Sequence, residues 1–316
     1  MNIYESEDGN VIKYVHEDLS ETTIKFNSTC EGRVVESNKV TVFISVSVGC
    51  NQGCKMCYLS VKKFPYKKLG VGDIFDNVCD ALEDSKELLK DKYIKLSFMG
   101  MGDVATLDPV DFISLVRELT LYVNEDSGSL GLDGVDVGTS YPKTTTSEFI
   151  TSLNLLNSYL YRNSVCKNPS RVYVKRPLSL GSSRTPLRLF YSLHPFTSKR
   201  KKLLPNSYDL GKTLFFFDNL NTNLIFHYTL IESVNNLDSD IASVLSEMRY
   251  GYYPYPELRL LRYNECEGTD LKAPSEENFQ SVVSRLSDKQ FKFKYQISTG
   301  SEIKAACGQF LMKEVV

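Results

Sequence analysis

The sequence predicts an α/β fold: a partial (β/α)6 TIM-type barrel with a small N-terminal β extension and a C-terminal helix–strand segment. Three observations predict it. Short β-branched or alternating apolar runs recur along the chain, most of them followed by a stretch of helical periodicity. Such a rhythm calls for parallel strands joined by right-handed crossovers. The 316 residues, 42% hydrophobic and 24% charged, suffice for one barrel with appendages.

The elements follow in order. Residues 1–40 are polar with brief β alternation and read as the N-terminal extension. Residues 41–48 (TVFISVSV) form the first barrel strand and run directly into Gly49 and Cys50. Residues 73–89 are helical, with Ile74, Val78, Ala81 and Leu82 on one face. The strand at 93–98 precedes Gly100, Met101 and Gly102, and Asp108 or Asp111 opens the next helix, which extends through Val123. Further strands are expected at 134–139, 187–193, 224–230 and 258–262, and helices at 147–160, 210–219 and 238–249. Residues 161–181 read as a surface insertion. A helix at 274–286 and a strand at 291–297 close the chain. The division expected is an extension at 1–40, a barrel at 41–265 and a C-terminal segment at 266–316. In such barrels chemistry collects at the C-terminal ends of the strands. Cys50, Gly102, Ser140 and His194 each lie just after a strand and are expected at one mouth.

Composition excludes some functions and leaves others open. A net charge of −2 gives no global attraction to a polyanion, so nucleic-acid contacts must come from local basic patches. No apolar run is long enough to span a bilayer, and the N-terminus lacks the basic and apolar regions of a secretory leader. A cytoplasmic location, with no membrane partner, is expected. There thiols stay reduced, so the eight cysteines read first as ligands, nucleophiles or packing.

Cys50, Cys54 and Cys57 form a C-x3-C-x2-C pattern on one loop. Three thiolates so placed can hold three irons of a 4Fe–4S cluster and leave the fourth open to an outside ligand. Zinc is the competing reading, but it would require a second ligand pair, for which no second C-x2-C is present. Elsewhere, Ser198–Lys202 is the densest basic run, and Lys62, Lys63, Lys67 and Lys68 follow the cysteine loop. These are either solvated faces or phosphate contacts. Tyr252, Tyr253 and Tyr255 either pack a loop or stack bases.

The motifs resemble the RlmN/Cfr family of radical S-adenosylmethionine (SAM) RNA adenine methyl synthases, over about residues 34–310. Ser47-Val48-Gly49-Cys50 resembles the stretch before the family's cluster, and Phe98–Asp103 its Met-Gly-Met-Gly-Glu-Pro loop. Tyr191–His194 is similar to its Ser-Leu-His, Arg200–Pro205 to the Arg…Pro stretch that follows, and Asn264 and Gly268 to its Asn-Pro-x-x-Gly loop. Ala305-Ala306-Cys307-Gly308-Gln309 matches the most specific motif, Ala-Ala-Cys-Gly-Gln.

The resemblance implies a methyltransferase with a 4Fe–4S cluster and SAM as cofactors. One SAM methylates Cys307, and a second gives a radical that takes hydrogen from that S-methyl group. The carbon radical adds to an adenine carbon in RNA (rRNA or tRNA), and a second cysteine resolves the adduct. An amidine carbon is not nucleophilic, so polar methyl transfer fails there and a tethered radical succeeds. By position, Gly102 and Asp103 would receive the methionine amino group, Ser140 lies near the family's Ser-Thr-Ser turn, Ser192 and His194 line the nucleoside, and Asn264 bonds the carboxylate or ribose. The implied partners are nucleic acid, RNA ahead of DNA, and an electron donor such as flavodoxin or ferredoxin.

There are departures. Phe43 stands where the family has its resolving cysteine, leaving Cys30 and Cys266 as substitutes, and Asp103-Val104 replaces Glu-Pro. The helical N-terminal RNA-binding domain has no counterpart in the 49 residues before Cys50. The alternative expectation is therefore a radical SAM enzyme of other outcome, abstracting hydrogen from, or modifying, a different nucleic-acid or peptide substrate.

Overall fold

A computed structural model describes the chain except for residues 31–32, 164, 171–172, 174–184, 195–198, 237–238, 241, 244–245, 247–256, 288–292, 297 and 311–316. Much of the helix expected at 238–249, part of the 161–181 insertion, Ser198 and Tyr252, Tyr253 and Tyr255 therefore lie outside the described residues.

Three N-terminal strands come first: β1 (Asn2–Glu5), β2 (Val11–Val15) and β3 (Glu21–Lys25). A small hairpin of β4 (Ser28–Cys30) and β5 (Arg33–Val35) follows. The barrel strands then begin with β6 (Lys39–Ile44), and a separate short β7 (Ser47–Val48) pairs antiparallel with β8 (Lys67–Lys68). The remaining strands are β9 (Tyr93–Phe98), β10 (Gly131–Thr139), β11 (Leu187–Ser192), β12 (Asn223–Leu230), β13 (Glu257–Arg262) and β14 (Phe293–Gln296). The helices are α1 (Tyr58–Val61), α2 (Val71–Asp84), α3 (Lys86–Leu89), α4 (Pro109–Glu125), α5 (Ser147–Arg162), α6 (Lys199–Leu203), α7 (Leu210–Phe217) and α8 (Glu276–Ser287).

One sheet carries the order β1-β2-β3-β6-β9-β10-β11-β12-β13-β14. From β6 to β14 every pairing is parallel, and from β1 to β6 every pairing is antiparallel. The N-terminal extension thus continues the barrel sheet, and the predicted C-terminal strand adds a seventh parallel strand to it. This is the expected α/β architecture, consistent with a partial TIM-type barrel. No helix among the described residues is long and apolar enough to cross a membrane.

Two predicted elements are broken for local reasons. The strand expected over 41–48 stops at Ile44 because Ser45 turns its hydroxyl to the Glu21 carbonyl (2.6 Å) and accepts from Met101 N (3.0 Å). The helix expected over 73–89 divides at Ser85, whose buried hydroxyl lies 2.6 Å from Tyr14 Oη. Asp108 caps α4 as expected, accepting from Val110 N (2.8 Å) and Asp111 N (3.2 Å), with Pro109 in the first turn.

Alternation along the strands sorts their two faces. Val42, Ile44, Leu96, Phe98, Val135, Val137, Leu189, Tyr191, Phe226, Tyr228 and Leu260 are buried in the main apolar core with α2, α4 and α5. On the alternate positions a charged layer replaces the apolar one. Arg188 makes a bidentate pair with Asp136 (2.7 and 2.5 Å), and Arg188 and Arg259 both lie over the Phe190 ring. Burial alone would raise the Asp136 pKa, but Arg188, Lys95 and Arg259 outweigh it and hold it below the usual range.

Candidate functional site

The three cysteines stand on the loop between β7 and α1. Gly49 has φ +64°, and a Cβ there would meet the Pro65 carbonyl oxygen at 2.3 Å, so the turn into the loop requires glycine. Cys50, Cys54 and Cys57 are free thiols, each half-buried. Burial pushes Cys50 up to about 11, Cys57 to about 12, and Cys54 well above its ordinary value. The neighbouring Cys57 and Cys50 raise Cys54 further.

Three thiolates packed this way repel one another, so a cationic group is what would stabilise them, and loading it would release protons. Among the described residues no three Cys, His, Asp or Glu side chains converge as ligands of a single ion. A cubane does not ask for that convergence, because each thiolate takes a different iron. The donor set fits a cluster.

Next to the loop, residues 99–103 turn closely over the β6–β7 segment. A Cβ on Gly100 would meet Ser45 N at 2.6 Å, and one on Gly102 (φ +90°) would meet Ser47 Oγ at 2.4 Å. The turn is tied by Val46 N to the Met101 carbonyl (2.9 Å). Asp103 is buried and accepts four hydrogen bonds. Thr139 Oγ1 (2.7 Å) and Ala105 N (3.1 Å) donate to one oxygen, Ser140 N (2.8 Å) and Ser140 Oγ (2.9 Å) to the other. Burial outweighs these bonds and raises its pKa. About four lone-pair sites is a carboxylate's full capacity. An incoming ammonium would therefore have to compete with the Ser140 or Thr139 hydroxyl.

The network continues around the mouth. Arg200 Nη2 donates to the Ser140 carbonyl (3.3 Å), and Arg200 Nη1 to the carbonyls of Ser192 (2.7 Å) and Leu193. His194 has φ +43° and is buried, and its Nδ1 accepts from Thr229 N at 3.3 Å. Burial, with the nearby Arg200 and His227, pulls its pKa down to about 3, so the ring is neutral. The basic run is divided: Arg200 points inward, Lys199 pairs with Asp240 at 3.0 Å, and Lys201 and Lys202 are exposed.

Cys307 is brought to the same place from the far end of the chain. Its loop is stitched to the cysteine loop by Tyr58 N donating to the Gly308 carbonyl (2.9 Å), one residue past Cys57. A Cβ on Gly308 (φ +79°) would lie 3.5 Å from the Met56 carbonyl and 4.0 Å from Cys57 Cα. Asn264 Nδ2 donates to the Cys307 carbonyl (3.0 Å), and Gln309 Nε2 to the Glu265 carbonyl (2.9 Å). Cys307 itself is exposed. Asn264 keeps its second N–H and its Oδ1 for a bond to SAM.

Of the two candidate second thiols, Cys266 is half-buried in the same loop, 3.5 Å from Tyr263 Oη. Cys30 ends β4, whose side chains lie outside the described residues. Phe43 sits opposite Ser97 in the β6–β9 register. Cys166 bridges to Leu132, near the start of β10 and away from the mouth, and Cys79 is on α2.

Sequence reading missed the floor under the Cys307 loop. Lys13 and Glu21 form an ion pair at 2.7 Å, with side chains 1% and 3% exposed. Lys13 Nζ also donates to the Lys304 carbonyl and lies 5.9 Å from the centre of the Phe310 ring. A signal was present: Lys13 interrupts the otherwise apolar run Val11-Ile12-Lys13-Tyr14-Val15.

A partial barrel with three free thiols after its first strand, under a glycine-rich turn, is the architecture of a radical SAM protein. No family model matches the chain. The fold matches a radical SAM methyltransferase from Sphaerobacter thermophilus with a TM-score of 0.70 and 20% identity, over 98% of this chain and 80% of that one. Among curated relatives, the dual-specificity RNA methyltransferase RlmN of Wolinella succinogenes is 26% identical over 292 residues, 90% of this chain and 70% of that protein. The probable dual-specificity RNA methyltransferase RlmN of Salinibacter ruber is 24% identical over 283 residues, 87% of this chain and 66% of that protein. The chain thus spans about two thirds of the length of such relatives. In sequence it is RlmN/Cfr-like, and that likeness implies an iron–sulfur cluster and SAM.

Proposed function

We propose that the protein is a radical SAM methyl synthase that methylates an adenine carbon in RNA, rRNA or tRNA, with Cys307 as the methyl carrier. The observation that carries this reading is the docking of the Cys307 loop on the cysteine loop through Tyr58 and Gly308. This contact sets the Cys307 loop beside the loop of Cys50, Cys54 and Cys57, where a methyl carrier serving that site would have to stand.

Cys50, Cys54 and Cys57 would hold a 4Fe–4S cluster. When bound, the cluster and SAM supply the one-electron chemistry that makes a hydrogen-abstracting adenosyl radical. The chain's own residues do the rest. Gly102 would give close access to the methionine end of SAM, and Asp103, which holds Ser140 in place, would take its ammonium in exchange for a hydroxyl donor. Ser192 and the neutral His194 border the nucleoside end. Asn264 and Gln309 fix the backbone on either side of Gly308, and the Lys13–Glu21 pair supports the loop from below. Either Cys266 or Cys30 would resolve the covalent adduct.

RNA would be drawn by a local basic surface in a chain of net charge −2. Residues 51–68 contain five lysines and no acidic residue, and Lys55, Lys62, Lys63, Lys67 and Lys68 are all exposed. Lys201 and Lys202 extend this rim, because Lys55 N donates to the Leu203 carbonyl at 2.9 Å. The electron would come from a carrier such as flavodoxin or ferredoxin. Nucleoside mass spectrometry of RNA from cells with and without the protein tests the reading. A methyladenine present only with the protein supports it. Identical RNA profiles favour the second reading, a radical SAM enzyme acting on another substrate, to which Phe43 in place of a resolving thiol points.

A further inference from the structure

Arg200 is a buried cation, 4% exposed, with no carboxylate within ion-pair distance among the described residues. Its Nη atoms donate to three carbonyls, those of Ser140, Ser192 and Leu193, and its Nε finds no partner among the described residues. The guanidinium stacks on the Tyr191 ring at 4.9 Å. Carbonyl dipoles solvate a cation but do not neutralise it, and an uncompensated buried charge is costly.

Besides burial, which opposes its charge, the groups that act on Arg200 are Tyr191, Cys54 and Asp209, all of which favour it. The helix that carries Arg200 is welded to the cysteine loop: Lys55 N donates to the Leu203 carbonyl, and Leu203 and Leu204 pack with Met56 and Cys54. Among the groups that act on Cys54, Cys57, Cys50 and Asp103 all oppose negative charge there, and Arg200 favours it.

We propose that Arg200 is a positioning residue whose buried positive charge raises the reduction potential of the cluster held by Cys50, Cys54 and Cys57. This rests on the cluster reading above. One electron from an external one-electron reductant enters the cluster and makes it more negative by one charge. No protein bond forms or breaks, and the guanidinium keeps its proton throughout. Net charge and hydrogen bonding around a cluster are among the levers that set its potential. Arg200 supplies the first at Cys54, and, by clamping the ends of β10 and β11, fixes where that charge sits.

The test is an anaerobic dithionite titration of the reconstituted protein, followed by electron paramagnetic resonance, with iron content measured alongside. Arg200→Gln keeps hydrogen-bond donors and removes the charge. Its midpoint potential should move to a more negative value, while Arg200→Lys stays near the parent and Lys90→Gln, an exposed site just after α3, matches it. Equal potentials for parent and Arg200→Gln at equal iron content overturn the proposal. If Arg200→Gln does not hold iron, Arg200→Lys decides. Iron retained at the parent potential supports a role for charge. Iron lost from a folded Arg200→Lys shows that the fork geometry alone matters and overturns it. An iron-free parent protein would instead remove the cluster reading itself.

Discussion

Cys307 and the Lys13–Glu21 pair carry the sharpest consequences at the scale of single residues. Cys307→Ala should abolish methylation of RNA while leaving reductive cleavage of SAM to 5′-deoxyadenosine, because Cys50, Cys54 and Cys57, the proposed cluster ligands, are untouched. Chromatography of the nucleoside products checks both. Replacing the second thiol should trap a protein–RNA adduct. Cys266→Ala and Cys30→Ala, run side by side on a denaturing gel, show which cysteine resolves, and normal turnover in either variant dismisses that one. Lys13→Met takes from the buried Glu21 the ammonium that stands 2.7 Å away. Breaking such a pair typically costs about 3–5 kcal/mol, and Lys13→Met/Glu21→Gln should recover part of it. Urea midpoints of the two variants test this, and a midpoint unchanged in Lys13→Met would mean that the pair does not support the Cys307 loop.

The elements that frame the site were legible where local chemistry decides them. Asp108-Pro109 announces a helix start, and Asp108 does cap α4. Asp108→Ala should therefore cost about 1 kcal/mol of stability without changing activity, measured by thermal denaturation and SAM cleavage. The strand–loop–helix rhythm gave the parallel sheet, and the C-x3-C-x2-C spacing gave the loop after the first barrel strand. What was not legible depends on contacts between distant segments. Nothing in residues 41–48 shows that Ser45 will turn away to Glu21 and Met101 and split the strand. Nothing in the motif around Asn264 shows that one of its amide N–H groups will also tie down the Cys307 carbonyl. Ser198–Lys202 reads as one basic patch, although a helix of five residues sends Arg200 to the interior and leaves Lys201 and Lys202 outside.

Across the whole molecule, buried ionisable groups set the dependence of stability on pH. His194 and His227 are held neutral, both with pKa values near 3, by burial and neighbouring cations. An unfolded histidine titrates at about 6.5. Below that value the unfolded chain binds protons that the folded one refuses, so stability falls as pH drops. The slope is up to about 1.4 kcal/mol per pH unit for each histidine. Asp136, depressed by Arg188, adds its contribution above its unfolded value of about 3.9 and loses it as pH falls through its folded value. Asp103 acts in the opposite sense, because burial raises its pKa. Between pH 7 and 4.5 the histidines dominate, and urea midpoints should decline steadily. A flat profile would show that the two rings are protonated in the folded chain.

The meeting of Cys50, Cys54 and Cys57, on the loop after β7, with the loop that carries Cys307 is the arrangement on which the proposed chemistry depends. Peptide mass spectrometry of Cys307, in protein reconstituted with iron and sulfide, reduced and incubated with SAM, tests it most directly. A single methyl group on Cys307 and on no other cysteine is the expected result. An unmodified Cys307, in protein that holds its cluster and cleaves SAM, would contradict it.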